Sequence, residues 1–153
     1  MKLFKLIILF LVINFGALYI GTVLMNDGPQ TIWYKNLNKA PWTPPGWFFG
    51  VAWTIIMICF SVYMAYLYKT QANKKLIWLF TLQFIFNIIW NYLFFNQHLI
   101  FLGLVNLILL TGIVGKFLID YKPVLKTKTL LIVPYFVWLL VATSLNAYIL
   151  IYN

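Results

Sequence analysis

Residues 76–115 read LIWLFTLQFIFNIIWNYLFFNQHLIFLGLVNLILLTGIVG, and no charged side chain occurs among them. The polar triplet Asn96-Gln97-His98 divides this run into two apolar lengths. Wound as an α-helix at about 1.5 Å per residue, each length can cross the roughly 30 Å hydrocarbon layer of a bilayer. The run therefore predicts two membrane-spanning helices joined by a short polar loop.

The rest of the chain repeats this alternation of long apolar runs and short charged segments. Of the 153 residues, 64% are hydrophobic and 8% are charged, whereas roughly a quarter of a typical soluble domain is charged. Transmembrane β-barrels need short alternating strands, which these long and continuously apolar runs exclude. The sequence predicts an all-α integral membrane protein, one domain over residues 1–153, with transmembrane helices near residues 4–25, 46–68, 76–95, 99–119 and 130–151.

The lysines indicate how the chain is oriented in the membrane. The formal net charge is +9, and all 11 basic residues are lysine. With five spans, Lys35 and Lys39 fall on one side, and every other lysine falls on the opposite side. Because cytoplasmic loops collect positive charge, we expect a cytoplasmic N-terminus, with the first loop and the C-terminus outside. The charge then reflects topology and attraction to anionic lipid, and no nucleic-acid partner is predicted.

Residues that bind metals or carry protons are scarce and isolated. Cys59 is the only cysteine and lies within a span, and His98 is the only histidine and lies in a short loop. A disulfide or a thiolate metal site within the chain is excluded, and His98 as an axial ligand is the weaker alternative because no second ligand is near it. The central part of each span lacks Asp, Glu, Lys and Arg, which counts against ion-coupled transport. We predict neither a metal nor a cofactor.

The connector between the first two spans is rich in tryptophan and proline. Residues 33–53 read WYKNLNKAPWTPPGWFFGVAW and hold four of the chain's 7 tryptophans and three of its 6 prolines. Proline fixes φ and removes a backbone donor, while indole offers a wide apolar face and one N–H. We expect this segment to hold its shape at the membrane without regular structure and to act as a lid over the bundle.

Neutral polar and aromatic residues recur at helical spacing inside the spans. In the third span, Gln83, Asn87, Trp90, Asn91 and Phe94 share one helical face. The fifth and second spans contribute Pro134, Trp138, Ala142, Asn146, Trp53, Met57, Phe60 and Ser61. Two interpretations stay open. These side chains either join the helices by packing and hydrogen bonds, or they form the wall of a pocket for a flat apolar ligand.

Three motifs resemble one known family in order and spacing. They are Trp33-Tyr34, Leu37, Lys39-Ala-Pro41-Trp42-Thr43-Pro44-Pro45, Phe49-Gly50 and Trp53; then Asn87-x-x-Trp90-x-x-x-Phe94-Phe95; and then Val133-Pro134-Tyr135-x-x-Trp138 with Ala142-Thr143 and Leu145-Asn146. On these motifs the chain resembles the tryptophan-rich sensory proteins, also called translocator proteins or peripheral benzodiazepine receptors. The resemblance covers nearly the whole chain.

The resemblance implies a five-helix bundle, usually a homodimer, with a pocket closed by the first loop. Its ligands would be porphyrins such as protoporphyrin IX and synthetic molecules of the benzodiazepine or isoquinoline type. Together with the helical faces described above, it implies a ligand-binding set of Tyr34, Pro44, Pro45, Trp53, Met57, Asn87, Trp90, Phe94, Trp138, Ala142 and Asn146. Trp53 and Trp138 also match tryptophans connected with light- and oxygen-dependent porphyrin breakdown, which makes them the catalytic candidates.

We therefore expect a receptor or sensor in a bacterial cell membrane that holds a porphyrin, as ligand or substrate, beneath the lid. Asn87 is expected to form a hydrogen bond to the ligand while tryptophans stack on it. Three alternatives remain: an enzyme that degrades porphyrins in light, a transporter of tetrapyrroles or other amphiphiles, and a structural partner protein. They predict turnover under light, flux in liposomes, and indifference to Trp53→Ala and Asn87→Ala, respectively.

Overall fold

The computed structural model describes residues 1–153 and contains helices and turns without any strand. The helices are α1 (Leu3–Leu24), α2 (Ile32–Lys35), α3 (Gly46–Gln71), α4 (Lys74–Asn91), α5 (Ile100–Leu125) and α6 (Val133–Tyr152). All except α2 are long and apolar enough to cross a membrane. The predicted all-α fold with five transmembrane helices is confirmed.

The five long helices form a closed ring. Helix α1 packs against α3 and α4, α5 packs against α4 and α6, and α6 returns to α3. The order around the ring is thus α1, α3, α6, α5, α4, which differs from the order along the chain. Helices α3 and α4 are joined by only Ala72 and Asn73, yet each packs mainly against other helices. The first loop covers one end of the ring, which we call the lid end.

The outer surface of the ring is apolar. Large side chains such as Phe4, Val12, Trp78, Phe101 and Ile119 are exposed on it. Soluble monomers rarely expose contiguous apolar patches larger than a few hundred Å², so a surface of this kind faces lipid. The chain is a multi-pass membrane protein.

Aromatic side chains fill the half of the ring away from the lid. Phe60 and Tyr63 of α3, Phe117 of α5 and Tyr135 of α6 are completely buried. The Phe60 ring meets the rings of Tyr135 and Phe117 edge-to-face, with centroids 5.1 and 6.0 Å apart, which is a favoured arrangement. The Tyr135 hydroxyl donates a hydrogen bond of 2.9 Å to Oε1 of Gln83. This packing leaves open interior space only in the lid half of the ring.

The predicted end of the fourth span near residue 119 is wrong. Helix α5 continues to Leu125, although Pro123 lies in its last turn. Phe117, Tyr121 and Leu125 are four residues apart and all buried, so they form one inward stripe. Their packing offsets the single backbone hydrogen bond that the proline removes.

The other helix limits differ from the predictions by a few residues. Helix α6 begins at Val133 rather than near 130, because residues 126–131 form a 3₁₀ helix and Pro134 occupies the first turn, where proline is favoured. Helix α3 runs past 68 to Gln71. Helix α4 begins before 76, since Oδ1 of Asn73 accepts a hydrogen bond of 2.8 Å from the third residue of that helix and caps it.

The first loop has more regular structure than predicted. A 3₁₀ turn at residues 28–30 leads into α2, and Thr31 lies between them. Its hydroxyl accepts a hydrogen bond of 3.3 Å from the Tyr34 N–H and donates one of 2.8 Å to the Gly28 carbonyl. A threonine cap of this kind starts a helix, which is why an irregular backbone was the wrong prediction for this part. Residues 37–45 do lack helical structure.

The orientation predicted from the lysines is testable on this fold. In a Cys59→Ser background, we expect a membrane-impermeant maleimide to label Gln97→Cys, in the lid-end loop, from outside intact cells. Thr127→Cys, in the exposed turn at the opposite end, should be labelled only after permeabilisation, because lysines concentrate at that end. The reverse pattern of labelling would place the lid in the cytoplasm.

Candidate functional site

A cavity of about 700 Å³ lies inside the lid half of the ring. Ligand pockets commonly have volumes of roughly 300–1,000 Å³, so the cavity has the size of a site for a drug-sized or somewhat larger molecule. Helices α1, α3, α4 and α6 and the first loop form its wall, and α5 contributes no residue to it. The lining residues are Phe15, Ala17, Leu18, Thr22, Met25, Pro29, Gln30, Tyr34, Lys39, Thr43, Pro44, Gly46, Phe49, Gly50, Trp53, Thr54, Asn87, Trp90, Asn91, Phe94, Phe95, Ala142, Leu145, Asn146 and Ile149.

Aromatic rings cover much of the wall. Trp90 and Phe94 stack with centroids 5.1 Å apart and an angle of 14° between their planes, and Phe95 meets Phe94 edge-to-face at 5.0 Å. Trp53 packs edge-on against Tyr135 at 6.0 Å, so it lies at the floor of the cavity, next to the packed half of the ring. The wall thus offers several flat apolar faces for stacking.

A π-helical turn follows α4 and shapes this aromatic wall. It spans Tyr92–Asn96, and the N–H of Gln97 donates a hydrogen bond of 2.9 Å to the Tyr92 carbonyl, five residues back. In this wider turn the adjacent residues Phe94 and Phe95 are both buried, and both line the cavity. Such π turns occur often at functional sites.

One buried amide in the wall has no partner inside the protein. The amides of Asn14, Gln83, Asn106 and Asn146 each form hydrogen bonds to other protein groups. The side chain of Asn87 is 7% exposed and lines the cavity without forming such a bond. The buried unpaired polar atoms of the protein belong to Tyr121, Thr129 and Trp138 and not to Asn87, so the amide atoms of Asn87 face the open space of the cavity. The Asn87 amide is thus free to bond a polar group of a ligand.

A hydrogen bond to Asn146 of α6 fixes the position of Trp90. Its Nε1 donates to Oδ1 of Asn146 at 3.1 Å, and Nδ2 of Asn146 donates to the Ile100 carbonyl at 3.0 Å. Gly103 of α5 allows this approach, because a Cβ there would lie 3.1 Å from Oδ1 of Asn146. Helix α5 therefore supports the wall from behind.

The first loop closes the cavity through aromatic contacts. Tyr34 packs against Phe95 with ring centroids 5.3 Å apart, and Trp33 stacks on His98 at 3.9 Å. Burial raises the pKa of Tyr34 above its ordinary value, so its hydroxyl stays protonated and able to donate at neutral pH. His98 serves as a support for the lid and is not part of the cavity wall.

Hydrogen bonds fasten the same loop to α6 and to Asn153, the residue that follows this helix. The backbone N–H of Asn38 donates to Oδ1 of Asn153 at 2.9 Å, and Nδ2 of Asn153 donates to the Asn38 carbonyl at 3.1 Å. Nearer the centre of the helix, Nε1 of Trp42 donates to the Ser144 hydroxyl at 3.1 Å. These bonds hold the loop in its closed position over the cavity.

Comparison with known proteins identifies the family. The model of the TspO/MBR family matches residues 7–152. The chain belongs to the TspO/MBR family. Similar relatives include the tryptophan-rich protein TspO of Bacillus cereus, 35% identical over 149 residues that cover 95% of this chain and 94% of the relative. Protein CrtK of Rhodobacter capsulatus is 32% identical over 118 residues, 74% of each chain, and the human translocator protein is 28% identical over 119 residues, 74% of this chain and 70% of the relative.

In this TspO/MBR protein most of the predicted ligand-binding residues line one cavity. They are Tyr34, Pro44, Trp53, Asn87, Trp90, Phe94, Ala142 and Asn146. The three motifs, far apart in the chain, thus meet at one place. Pro45, Met57 and Trp138 do not line the cavity.

These three residues lie outside the wall for separate reasons. Met57 is 1% exposed and lies in the packed core, one turn of α3 beyond Trp53 at the floor. Trp138 packs edge-to-face behind Phe49 at 5.4 Å, and its buried Nε1 has no partner. Pro45 is the exposed residue that precedes α3. Helical spacing identified the inward face correctly but carried no information on the depth at which the cavity ends.

Sequence reasoning missed the contribution of α1 and of the polar loop residues in this TspO/MBR protein. Helix α1 provides Phe15, Ala17, Leu18 and Thr22, Met25 follows directly after it, and the loop provides Gln30 and Lys39. For α1 a signal existed, because Ala17, Gly21 and Met25 are four residues apart and mark an inward face. Loop residues have no periodicity, so Gln30 and Lys39 gave no comparable signal.

Proposed function

We propose that this protein is a membrane receptor that binds porphyrins, such as protoporphyrin IX, and flat ligands of the benzodiazepine or isoquinoline type in the cavity. The strongest support is the combination of stacked aromatic faces with one unpaired amide, that of Asn87, in the same cavity. The names of relatives, a tryptophan-rich sensory protein of Cereibacter sphaeroides and the human translocator protein, agree with a role in sensing or moving a ligand.

The wall suggests how a planar macrocycle would be held. Its faces would stack on the Trp90–Phe94 pair and on Trp53, since aromatic rings favour offset stacked and edge-to-face contacts. The amide of Asn87 has both a donor and an acceptor, so it can bond a ring nitrogen or a carbonyl of the ligand. The small side chain of Ala142 leaves room for the ligand beside α6.

A dark titration with protoporphyrin IX tests this proposal. Tryptophan quenching of the purified protein in detergent should saturate. Asn87→Leu keeps the side-chain volume but removes the hydrogen bond, so it should weaken binding about three- to tenfold. Trp53→Ala removes a stacking face and should weaken it further.

The matched control is Trp78→Ala, because Trp78 is exposed to lipid and far from the cavity. It should bind the porphyrin like the wild type. Equal signals from all four proteins, rising without saturation, would indicate partition into detergent and overturn the proposal.

Illumination of the same samples in air tests the enzyme alternative. Of the two catalytic candidates, Trp53 lines the cavity and Trp138 lies behind Phe49, so Trp53 is the candidate whose indole is available to a bound porphyrin. A product formed by the wild type and by Trp138→Phe, but not by Trp53→Phe, would support porphyrin breakdown. Transport is less well supported, since Phe60 and Tyr63 fill the ring beneath the cavity.

A further inference from the structure

The cavity wall contains a single charged side chain, that of Lys39 in the first loop. The chain has only two acidic residues, Asp27 and Asp120, and neither lines the cavity. The ion pairs of the protein join Asp120 to Lys75 and Lys116 at the opposite end. The lid therefore places one positive charge at the cavity without a protein counter-ion.

Backbone carbonyls hold the Lys39 ammonium in position. Its Nζ donates to the Lys35 carbonyl at 3.2 Å and to the Leu37 carbonyl at 3.4 Å, and it lies 4.7 Å from the centre of the Tyr34 ring. An ammonium has three donors, so one remains after these two bonds. Both bonds are long, and a charged acceptor such as a carboxylate would form a shorter and stronger one.

Other polar groups of the lid accompany this charge. The Tyr34 hydroxyl and the Gln30 amide belong to residues that line the cavity, and neither group bonds another protein group. Burial raises the pKa of Tyr34, so its hydroxyl remains a donor at neutral pH. Donors of this kind suit an anion at the lid end, while the aromatic faces below suit an apolar body.

We infer that Lys39 and the Tyr34 hydroxyl form a subsite for a carboxylate, so that the cavity selects flat apolar ligands with an anionic edge. The inference rests on the proposed function and specifies its ligand class. A porphyrin with propionate side chains would bind with the propionates towards the lid and the apolar edge towards Trp53. Neutral flat molecules would bind without using this subsite.

Comparison of protoporphyrin IX with its dimethyl ester tests the inference, because the ester has the same ring and no carboxylate. The quantity to measure for each compound is the ratio of its dissociation constants for Lys39→Met and the wild type. Partition into detergent cancels in this ratio. We expect a ratio of about ten for the free acid and about one for the ester.

Lys35→Met is the matched control, since Lys35 is exposed, does not line the cavity and holds Lys39 only through its backbone carbonyl. It should leave both dissociation constants unchanged, and Lys39→Arg should keep most of the preference for the acid. Measurement in neutral detergent without lipid prevents a lipid phosphate from occupying the subsite.

The experiment distinguishes failure of the carboxylate subsite from failure of the proposed receptor function. A ratio near one for both compounds, with binding that Asn87→Leu still weakens, would overturn the carboxylate subsite and leave the proposed receptor in place. Binding of neither compound to the wild type would overturn the proposed function itself. Should Lys39→Met fail to fold, the dissociation constants of both compounds for the wild type can be measured at low and high ionic strength. Only the free acid should then bind less tightly at high ionic strength, because salt screens the interaction of its carboxylates with Lys39.

Discussion

Ala142→Phe is expected to weaken porphyrin binding about 100-fold, which corresponds to the upper end of the cost of overpacking a filled space. Ala142 lies on α6 and lines the cavity one turn from Asn146. A phenyl ring extending from its Cβ would occupy the space proposed for the macrocycle. The measurement is the dark titration with protoporphyrin IX by tryptophan quenching.

Leu140→Phe is the control for this substitution. Leu140 lies on the same helix but is 49% exposed on the lipid-facing surface, so the added ring should leave both stability and binding unchanged. Tight binding by Ala142→Phe, with a dissociation constant close to that of the wild type, would show that the ligand lies elsewhere.

Gly103→Val is expected to lower the free energy of unfolding by about 2–4 kcal/mol and to weaken ligand binding as well. A Cβ at Gly103 would lie 3.1 Å from Oδ1 of Asn146 and 3.5 Å from Nε1 of Trp90, and valine adds two methyl groups beyond it. Asn146 would have to move, and its bonds to Trp90 and to the Ile100 carbonyl would break. Thermal unfolding in detergent and the porphyrin titration measure the two effects.

Gly112→Val is the control for Gly103→Val, because it changes the helix propensity of α5 in the same way but causes no clash with Asn146. Gly112 also lies in α5, and nothing is within 4 Å of the position that its Cβ would take. Both variants add the same β-branched side chain to the same helix, so the difference between them reports the clash at Asn146. Equal losses of stability would mean that the hydrogen bonds of Asn146 to Trp90 and to the Ile100 carbonyl contribute little.

The fold could be predicted from the sequence because charged residues lie between the spans and mark their approximate limits. Apolar runs long enough to cross a bilayer form helices, because no water is available in the hydrocarbon layer and a helix pairs its own backbone N–H and C=O groups. The limits of the helices were less predictable. Helix α5 continues through Pro123 because Tyr121 and Leu125, which lie beyond the predicted end, are buried and their packing stabilises the last turns. The homodimer and the outward-facing lid stay predictions.

The site could be predicted only in part, because periodicity shows direction and not depth. The inward faces of α4 and α6 were evident from Asn87, Trp90 and Asn146, which line the cavity. Met57 has the same direction as Trp53 but lies below the floor. The position of Lys39 depends on the path of an irregular loop, which no pattern of spacing specifies.

During synthesis the spans enter the membrane from the N-terminus onwards, so α1 arrives first and α6 last. Helices α1 and α3 can pair at once, and α4 and then α5 can join on the other side of α1. Helix α5 then contacts α3 in the packed half of the ring, where the Tyr63 hydroxyl donates to the Phe117 carbonyl, and a gap between α5 and α3 remains in the lid half. Only α6 fills that gap, and it brings both the wall residue Ala142 and the partner of Asn38 that fastens the loop. A nascent chain without α6 has neither a complete wall nor a fastened cover, and the ligand therefore cannot assist the earlier steps of assembly.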